Sequence, residues 1–350
     1  MKLTAAKAGT RHTEFGEEIV KKAKVFLVLF LVLIMAMSSG CQKRAVQHDI
    51  SEYRITMNYR EGFRVMVLSD IHLSRFSNLD EIKVFLENNI TEADPDIIVL
   101  NGDSFFDATK AEVDWLFNFI DSFSVCWVYL QGNHDRQGSF EPNYPENVVS
   151  KMVYALNVDF ADDDIEGEQN FYVDLMDGDD LVYRLFMIDS GSYARMNAIK
   201  YTYARIGENQ LKHIEAIQAA EDDNSYTSLA FFHIPLPEFA MAYEGYKNGD
   251  YEGFGENREG GSPSKFSTNQ FERMKNAGIR GMFCAHDHIN DSVIDYEGVI
   301  LAYGVKADKE IYHDSDMLGY RLITLTEDDF SLDNVQNVIH DYYEYSKGSD

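Results

Sequence analysis

Side chains that could bind metal ions occur in five short clusters along this chain. The clusters are Asp70-Ile71-His72, Gly102-Asp103, Gly132-Asn133-His134-Asp135, His233 and His286-Asp287-His288. Together they supply imidazole nitrogens, carboxylates and one amide oxygen, and they contain no thiolate. That donor set suits two adjacent divalent or trivalent cations, and such a pair can activate water against a phosphoester. No single cluster is specific, but their order along the chain makes metal-assisted phosphoester hydrolysis the leading hypothesis.

The spacing within the clusters favours ligand roles. Asp70 and His72 are two residues apart, as are His286 and His288, so each pair projects to one side of an extended chain. Asp103 follows a glycine, which lets the backbone turn tightly, and its two carboxylate oxygens could bridge two cations. Alone, each residue is more simply a helix cap, a turn residue or a buried histidine. Five of the ten histidines fall in these clusters, however, which favours one shared site.

The first three clusters each follow an apolar segment that predicts a buried strand. These segments are residues 63–69, 96–100 and 125–130, and helical spacing separates them at residues 78–89 and 113–120. The alternation predicts a parallel sheet with right-handed crossovers, which binds ligands beyond the carboxyl ends of its strands. Further strands are predicted at 181–188, 227–232, 281–285, 292–296, 299–302 and 321–326, and further helices at 208–220 and 267–277.

Other stretches have less regular patterns. Residues 160–180 are rich in Asp, Glu and Gly, which predicts a surface hairpin. Residues 240–265 show little periodicity and predict a long loop, in which Arg258 and Lys265 could meet the charge of a phosphate. Because no repeat or proline-rich linker interrupts the pattern, we predict one catalytic domain over residues 59–326. A tether at 41–58 precedes it, and a tail at 327–350 of ambiguous structure follows it.

The composition argues against nucleic acid as a partner. The 350 residues carry a formal net charge of -28 without a basic stripe, so most of the surface would repel a phosphate polyanion. Hydrophobic residues make up 45% of the chain, which is enough for a sizeable core. Cys126 and Cys284 lie inside apolar runs, and we expect two buried small side chains rather than a disulfide.

The N-terminal segment resembles the leader of a bacterial lipoprotein. A lysine cluster precedes the 13 apolar residues 25–37, a run shorter than the roughly 20 residues that span a bilayer. Small residues then lead to Cys41, although Ser38 stands where such leaders usually have an apolar residue. The resemblance implies removal of residues 1–40, lipidation of Cys41 and a membrane-tethered protein of the cell envelope. The alternatives are an uncleaved anchor and a translation start at Val20.

The ordered clusters resemble the calcineurin-like metallophosphoesterase superfamily over about residues 60–325. The pattern of that superfamily is Asp-x-His, Gly-Asp, Gly-Asn-His-Asp/Glu, a lone His and Gly-His-x-His. Residues 188–191 (IDSG), 231–238 (FFHIPLPE) and 285–291 (AHDHIND) further resemble the branch related to purple acid phosphatases and Dcr2-type phosphatases. The resemblance implies an α/β fold, a β-sandwich of mixed sheets flanked by helices in α/β/β/α layers.

The resemblance also implies a set of site residues. His134 would be the catalytic histidine near the leaving-group oxygen, and Asp135 and Asp107 are the candidates to orient it. The metal ions could be Mn, Fe, Zn or Ni, and the donor set does not choose among them. One metal would be held by Asp70, His72, Asp103 and His288, and the other by Asp103, Asn133, His233 and His286.

Two departures from the pattern bear on the expected activity. Ala285 replaces the usual glycine before His286, and Phe106 stands where purple acid phosphatases have an iron-ligating tyrosine. We therefore expect no purple chromophore. The expected reaction is hydrolysis of a small phosphomonoester by a hydroxide that bridges the two metals. The alternatives are a phosphodiesterase of the same fold and a catalytically silent lipoprotein that binds a ligand at the cell surface.

Overall fold

The computed structural model describes residues 54–157, 165–221 and 225–347, and these belong to one compact unit, Val46–Asp350. The predicted leader, Cys41 and residues 41–53 of the predicted tether lie outside the described residues. The strands are β1 (Arg54–Asn58), β2 (Phe63–Leu68), β3 (Ile97–Asn101), β4 (Cys126–Leu130), β5 (Asn170–Asp177), β6 (Asp180–Ile188), β7 (Tyr193–Arg195), β8 (Tyr201–Tyr203), β9 (Thr227–Phe231), β10 (Gly253–Phe254), β11 (Ile279–Cys284), β12 (Val293–Tyr296), β13 (Val299–Tyr303), β14 (Gly319–Leu325) and β15 (Val335–Ile339). The helices are α1 (Leu79–Ala93), α2 (Lys110–Asp121), α3 (Tyr144–Val149), α4 (Glu208–Ala219), α5 (Pro237–Asn248), α6 (Gln270–Asn276) and α7 (Tyr342–Tyr345).

Two large mixed sheets form the centre of the fold. The eight-stranded sheet has the order β1-β5-β6-β9-β11-β13-β12-β10, and the five-stranded sheet has the order β15-β14-β2-β3-β4. Strands β2, β3 and β4 are parallel, as are β6, β9, β11 and β13, and the remaining pairings of β2 and β13 are antiparallel. A separate two-stranded hairpin joins β7 to β8.

Alternating side chains on the strands bury both faces of each sheet. Val65 and Val67 of β2 point into a core that also contains Val173 and Leu229 of the eight-stranded sheet. The neighbouring side chains of β2 point to the other face and pack on α1 and α2. The outer face of the eight-stranded sheet packs on α4, α5 and α6. This period of two along each strand produces the α/β/β/α layers that the resemblance implied.

Most of the predicted elements are confirmed within one to three residues. On α2 the predicted apolar face is the buried one, and Thr109 and Glu112 form a capping box at the start of that helix. On α1 the N-cap position is Asn78, but its side chain makes no capping hydrogen bond. Cys284 is buried as expected, whereas Cys126 is half-buried.

Three predictions about the less regular stretches were wrong or incomplete. The described part of residues 160–180 contains β5, which forms a hairpin with β6 but is a buried strand of the eight-stranded sheet rather than a surface one. The first nine residues of the predicted loop 240–265 belong to α5, which ends at Gly249. The tail contains β15, which pairs with β14, and α7. Within the described part of the chain, no helix is long and apolar enough to span a membrane.

Candidate metal centre

The predicted ligands converge at the carboxyl ends of five strands from both large sheets. In the five-stranded sheet, Asp70 and His72 follow β2, Asp103 follows β3, and the segment with Asn133 and His134 follows β4. In the eight-stranded sheet, His233 follows β9, and His286 and His288 follow β11. Because the strands within each set are parallel, residues far apart in sequence meet at one edge of the sandwich.

The first group of ligands consists of Asp70, His72 and His288, all buried. The Nε2 atoms of the two histidines lie 2.9 Å apart, and each lies 3.7 Å from Asp70 Oδ1. Asp70 Oδ1 is buried and has no hydrogen-bond partner among the described residues. A buried carboxylate oxygen without a partner is costly unless a cation compensates it.

The second group consists of Asp103, His233 and His286, with Asn133 beside it. His233 Nε2 lies 3.2 Å from Asp103 Oδ2 and 3.2 Å from Asn133 Oδ1. Asp103 Oδ2 also lies 3.7 Å from His72 Nε2, so this oxygen stands between the two groups. The Nδ1 atom of His286 is buried and has no hydrogen-bond partner among the residues that the structure describes.

Backbone carbonyls orient two of the imidazoles toward the centre. The carbonyl of Asn101 lies 3.0 Å from His233 Nδ1, and the carbonyl of Tyr312 lies 3.1 Å from His288 Nδ1. Since a carbonyl can only accept, each Nδ1 carries a proton and Nε2 is the ring atom directed into the site. Imidazole Nε2 atoms and carboxylate oxygens therefore face one another, and two metal ions would bind both kinds of atom. The residues present fit a pair of cations.

Close backbone packing and strained dihedrals support this arrangement. A Cβ at Gly132 would lie 2.2 Å from Asp103 Oδ1, and a Cβ at Gly102 would lie 2.4 Å from His233 Nδ1. The residues Asp70, His72, Asp103 and His286 have φ angles of 55°, 57°, 50° and 80°. Non-glycine residues rarely adopt this left-handed region, and such strain concentrates at functional sites. Ala285 keeps a negative φ, so the departure from glycine adds no backbone strain there.

The charges of the buried groups are strongly coupled. Burial alone would raise the pKa of Asp103 and lower that of His233, but their mutual attraction outweighs burial. The pKa of Asp103 is therefore well below its ordinary value, and that of His233 rises to about 10. Burial and the neighbouring His233 lower the pKa of His286 to about 4, and burial lowers that of His288 to about 3. In the absence of metal, His233 holds the proton of the cluster.

The Asp135 side chain bonds to backbone amides rather than to the ring of His134. One of its carboxylate oxygens accepts hydrogen bonds from the backbone amides of Asp103 and Gly132, and the other accepts one from Phe105. Burial and the nearby Asp103 carboxylate raise the pKa of Asp135 to about 8. The side chain ties together the loops after β3 and β4, and these hydrogen bonds do not place it against the His134 ring that it was a candidate to orient.

Gln137 contacts the ring of His134 in place of either predicted carboxylate. Its Oε1 lies 2.8 Å from His134 Nδ1, and its Nε2 donates to the Asn133 carbonyl, which sets the orientation of the amide. Asp107 instead forms an ion pair with Arg75. Because an amide oxygen only accepts, the contact places a proton on His134 Nδ1. A polar residue three positions after the histidine was the signal that sequence reasoning overlooked.

Neither predicted substrate-binding cation lines the cavity above the two ligand groups. Arg258 is held by the carboxylates of Glu256, Asp314 and Asp316. Lys265 is exposed, and its backbone amide bonds to Thr202. The cavity has a volume of about 280 Å³. Its lining consists of His72, Asp103, Phe106, His134, Tyr203, Ser262, His286, Asp287, His288, Ile311 and Tyr312.

Sequence reasoning missed three residues that hold the ligands. Lys306 is buried and donates from Nζ to the backbone carbonyl of Asp70 at 2.5 Å. Tyr312 stacks on the ring of His288 with centroids 4.2 Å apart, and Tyr203 meets the ring of His286 edge-on at 4.3 Å. A lysine inside an apolar run was a usable signal for Lys306. The two tyrosines contact the histidines through long-range packing, which the local sequence does not reveal.

Comparison with known proteins agrees with the geometry. The family model described as calcineurin-like phosphoesterase matches residues 63–290 of this chain. The chain is 23% identical over 346 residues to the probable inactive purple acid phosphatase 14 of Arabidopsis thaliana, with 87% of this chain and 84% of that protein covered. It is 25% identical to the phosphatase DCR2 of Saccharomyces cerevisiae over 69% of this chain, which spans about half (47%) of that protein.

A solved structure has a related fold. The dimetal phosphatase from Danio rerio aligns with a TM-score of 0.51 at 14% identity and covers 77% of this chain and 94% of its own. The layered sheets, the ligand clusters and the family match together define a metallophosphoesterase. The chain belongs to the calcineurin-like phosphoesterase family.

Proposed function

We propose that this protein is a metal-dependent phosphoester hydrolase that acts on phosphomonoesters. One observation carries the proposal. His233 Nε2 lies 3.2 Å from Asp103 Oδ2 and 3.2 Å from Asn133 Oδ1, with His233 at the centre of the three atoms. These atoms accept hydrogen bonds and cannot satisfy one another when the imidazole is neutral. A bound cation would compensate all three at once.

The residues that would hold the metals fall into the two groups of the site. The first group would hold one ion and the second group, with Asn133, the other, and Asp103 would serve both. When bound, two such cations polarise the phosphoryl oxygens and lower the pKa of water toward 7. Three contacts hold the ligands in position. Lys306 bonds to the carbonyl of Asp70. The carbonyls of Asn101 and Tyr312 bond to His233 and His288, respectively.

We assign His134 the part of proton donor to the leaving group. Its ring lies beside that of His72, with centroids 5.5 Å apart, and it lines the cavity. Gln137 Oε1 accepts the Nδ1 proton in a hydrogen bond, so in the doubly protonated imidazolium the Nε2 proton is the one that His134 would give to the leaving-group oxygen. General acid catalysis by a positioned histidine typically contributes 10²–10⁴-fold to the rate.

The main rival is a catalytically silent protein that uses the same fold to bind a ligand at a surface. Some relatives are named as probable inactive phosphatases, which keeps this rival open for the family. In this chain, every predicted metal ligand is present and directed into one site. A complete set of strained, buried ligands is costly to keep without metal chemistry, and this supports the hydrolase.

We also propose that the catalytic domain, predicted at residues 59–326, is tethered to a membrane of the cell envelope through lipidated Cys41. The motif of residues 21–41 supports this proposal. Mass spectrometry of the protein produced in a bacterial host tests it. We expect a mature N-terminus at Cys41 that carries lipid, and a Cys41→Ser variant that is not modified. A mature protein that retains residues 25–37 would support the uncleaved anchor instead.

Hydrolysis measured with defined metals tests the proposed activity. The purified protein is stripped of metal and then reloaded separately with Mn²⁺, Fe²⁺, Zn²⁺ and Ni²⁺. Each preparation is assayed with an aryl phosphomonoester and the matching diester. We expect metal-dependent turnover, faster with the monoester and abolished in Asp103→Asn. Faster turnover of the diester would identify a phosphodiesterase. Two bound metal ions without turnover of any phosphoester would favour the silent lipoprotein.

A further inference from the structure

We propose that the site is specific for phosphoesters whose leaving group is uncharged and apolar. This inference rests on the proposed hydrolase function and names its substrate class. The cavity combines the two ligand groups with the apolar surfaces of Phe106, Tyr203, Ile311 and Tyr312. Those four side chains form the wall that a leaving group would contact once the phosphoryl group lies over the ligands. We call them the apolar wall.

Phe106 occupies the part of the wall beside the proposed proton donor. Its ring meets the ring of His134 edge-on, with centroids 5.0 Å apart, and lies 6.2 Å from the ring of His72. The backbone amide of Phe106 donates to the carbonyl of Leu73 at 2.8 Å, which holds the residue at this position. A leaving group protonated by His134 would therefore depart next to an aromatic ring.

Another part of the wall contains an apolar residue in an unfavourable conformation. Ile311 has a φ of 63° and is 40% exposed. A β-branched residue in the left-handed region is a steric outlier, and exposure of its side chain to water adds a further cost. Next to it, Tyr312 stacks on His288, and its hydroxyl bonds to the carboxylate of Glu259 at 3.1 Å. An apolar contact with substrate would explain why isoleucine occupies this strained position.

The side chains around the cavity give no support to a leaving group with its own negative charge. Among the described residues that line the cavity, none is a lysine or an arginine. Asp287 lines it, and Glu259 bonds to the hydroxyl of the lining residue Tyr312. Arg258, one of the two cations predicted to meet substrate, is held by three carboxylates. Apart from the metal ions that would bind the phosphoryl group, nothing there would compensate a second phosphate or an acidic peptide, whereas a neutral apolar group needs no such partner.

Three primary alkyl phosphates test the proposal, because their leaving alcohols have comparable intrinsic reactivity. The metal-loaded full chain is assayed with phenethyl phosphate, hexyl phosphate and glycerol 3-phosphate. We expect kcat/KM at least about tenfold higher for the two apolar esters, since one apolar contact in a pocket is worth about 10–200-fold. The ratio of phenethyl to hexyl phosphate separates aromatic from aliphatic leaving groups. Equal values, or a preference for glycerol 3-phosphate, would overturn the proposal.

Two variants separate specificity from general damage. Phe106→Asn is expected to lower the ratio of kcat/KM for phenethyl phosphate to kcat/KM for glycerol 3-phosphate about tenfold. Ile311→Asn is expected to lower the same ratio while raising the melting temperature, because asparagine tolerates a positive φ. Phe76→Asn, at a surface residue outside the cavity, serves as the control and should change neither value. Parallel losses with both substrates would assign the wall a structural part only.

Binding of non-hydrolysable analogues keeps this proposal separate from the proposed reaction. Phenethylphosphonate and methylphosphonate are titrated into the Mn²⁺-loaded protein by calorimetry. Tighter binding of phenethylphosphonate by about tenfold or more, lost in Phe106→Asn, supports the apolar wall even if no ester is hydrolysed. If the analogue binds tightly and no ester is hydrolysed, the hydrolase proposal is wrong and the specificity proposal still holds. Equal affinities would overturn the specificity proposal whether or not turnover occurs.

Discussion

The Nε2 atoms of His72 and His288 lie 2.9 Å apart although the two residues are 216 positions apart in the chain. His72 follows β2 of the five-stranded sheet, and His288 follows β11 of the eight-stranded sheet. The carbonyl of Tyr312 holds the proton of His288 on Nδ1, so the contact between the two nitrogens has one proton at most to share. The site therefore lies across the junction of the two sheets. The distances between its ligands depend on how the two sheets pack against each other.

Metal binding should release at least one proton per protein at pH 8. Of the histidine ligands, only His233 has a pKa raised above that pH, to about 10, whereas His286 and His288 have pKa values of about 4 and 3 and are already neutral. A histidine must be neutral to bind a metal ion, so metal binding displaces the proton of His233. Calorimetric titration with Zn²⁺ in two buffers of different ionisation enthalpy measures the number. Heats that do not depend on the buffer would contradict this assignment.

Gly132→Ala should impair metal binding more than it impairs folding. The added Cβ would lie 2.2 Å from Asp103 Oδ1 and 2.4 Å from the Asp103 backbone nitrogen, so the proposed bridging carboxylate must move. Overpacking of this kind costs about 1–3 kcal/mol. We expect at least a tenfold weaker metal affinity by competition with a chelator. Gly260→Ala is the matched control, because its Cβ would meet no atom within 4 Å. Equal affinities in the two variants would show that the close approach is unimportant.

Gln137→Leu should lower kcat without loss of metal. The substitution removes the contact at 2.8 Å that holds His134 Nδ1 but leaves the ligands untouched. A misplaced proton donor should cost roughly tenfold or more in kcat, within the range that general acid catalysis contributes. Metal content by mass spectrometry and kcat with a generic aryl phosphate check this together. Asp107→Asn, at the residue that pairs with Arg75, is the control and should keep full kcat.

Glu146→Gln should change how stability depends on pH. Burial raises the pKa of Glu146 from 4.5 to about 7, and both of its carboxylate oxygens lack hydrogen-bond partners among the described residues. Because the folded pKa is the higher one, this group stabilises the fold below about pH 4.5 and loses that contribution as the pH rises through 7. The variant should not show this loss, which is on the order of 1–3 kcal/mol.

Urea unfolding in the presence of a chelator, at pH 4.5 and at pH 8, measures the effect of Glu146→Gln. We expect the variant to gain stability relative to the native protein only at the higher pH. Glu87→Gln, at an exposed position of α1, is the control and should track the native protein at both values. A constant difference across the range would mean that Glu146 is not buried in its protonated form.

The sequence was sufficient to predict that the candidate metal ligands lie together, because each follows a short apolar strand within a few residues. The carboxyl ends of parallel strands lie at one edge of a sheet, so residues that follow such strands come together there. The contacts that orient the ligands were not predictable in the same way. Lys306 bonds to the carbonyl of Asp70 from 236 positions away, and Tyr312 reaches His288 through a loop. Such contacts depend on tertiary packing, which leaves no periodic pattern.

Two elements were missed for identifiable physical reasons. Helix α5 buries Phe239, Ala242 and Gly245, and the small residues of that face give little apolar periodicity. Strand β5 lies in an acidic stretch that suggested surface, yet its Asp174 is buried in an ion pair with Arg184 at 2.7 Å. Composition indicates exposure only when charges are unpaired, and the partner of Asp174 becomes visible only once β5 and β6 are paired.

The number and coupling of bound Mn²⁺ ions test the central claim most directly. Electron paramagnetic resonance of the stripped protein, titrated with Mn²⁺, reports both. If Asp103 joins the two ligand groups, the native protein and Asp107→Asn will bind two ions per chain with a spin-coupled signal, and Asp103→Asn will lose the coupling. A single bound ion, or two uncoupled ions that are unaffected by Asp103→Asn, would contradict a dinuclear centre at this site.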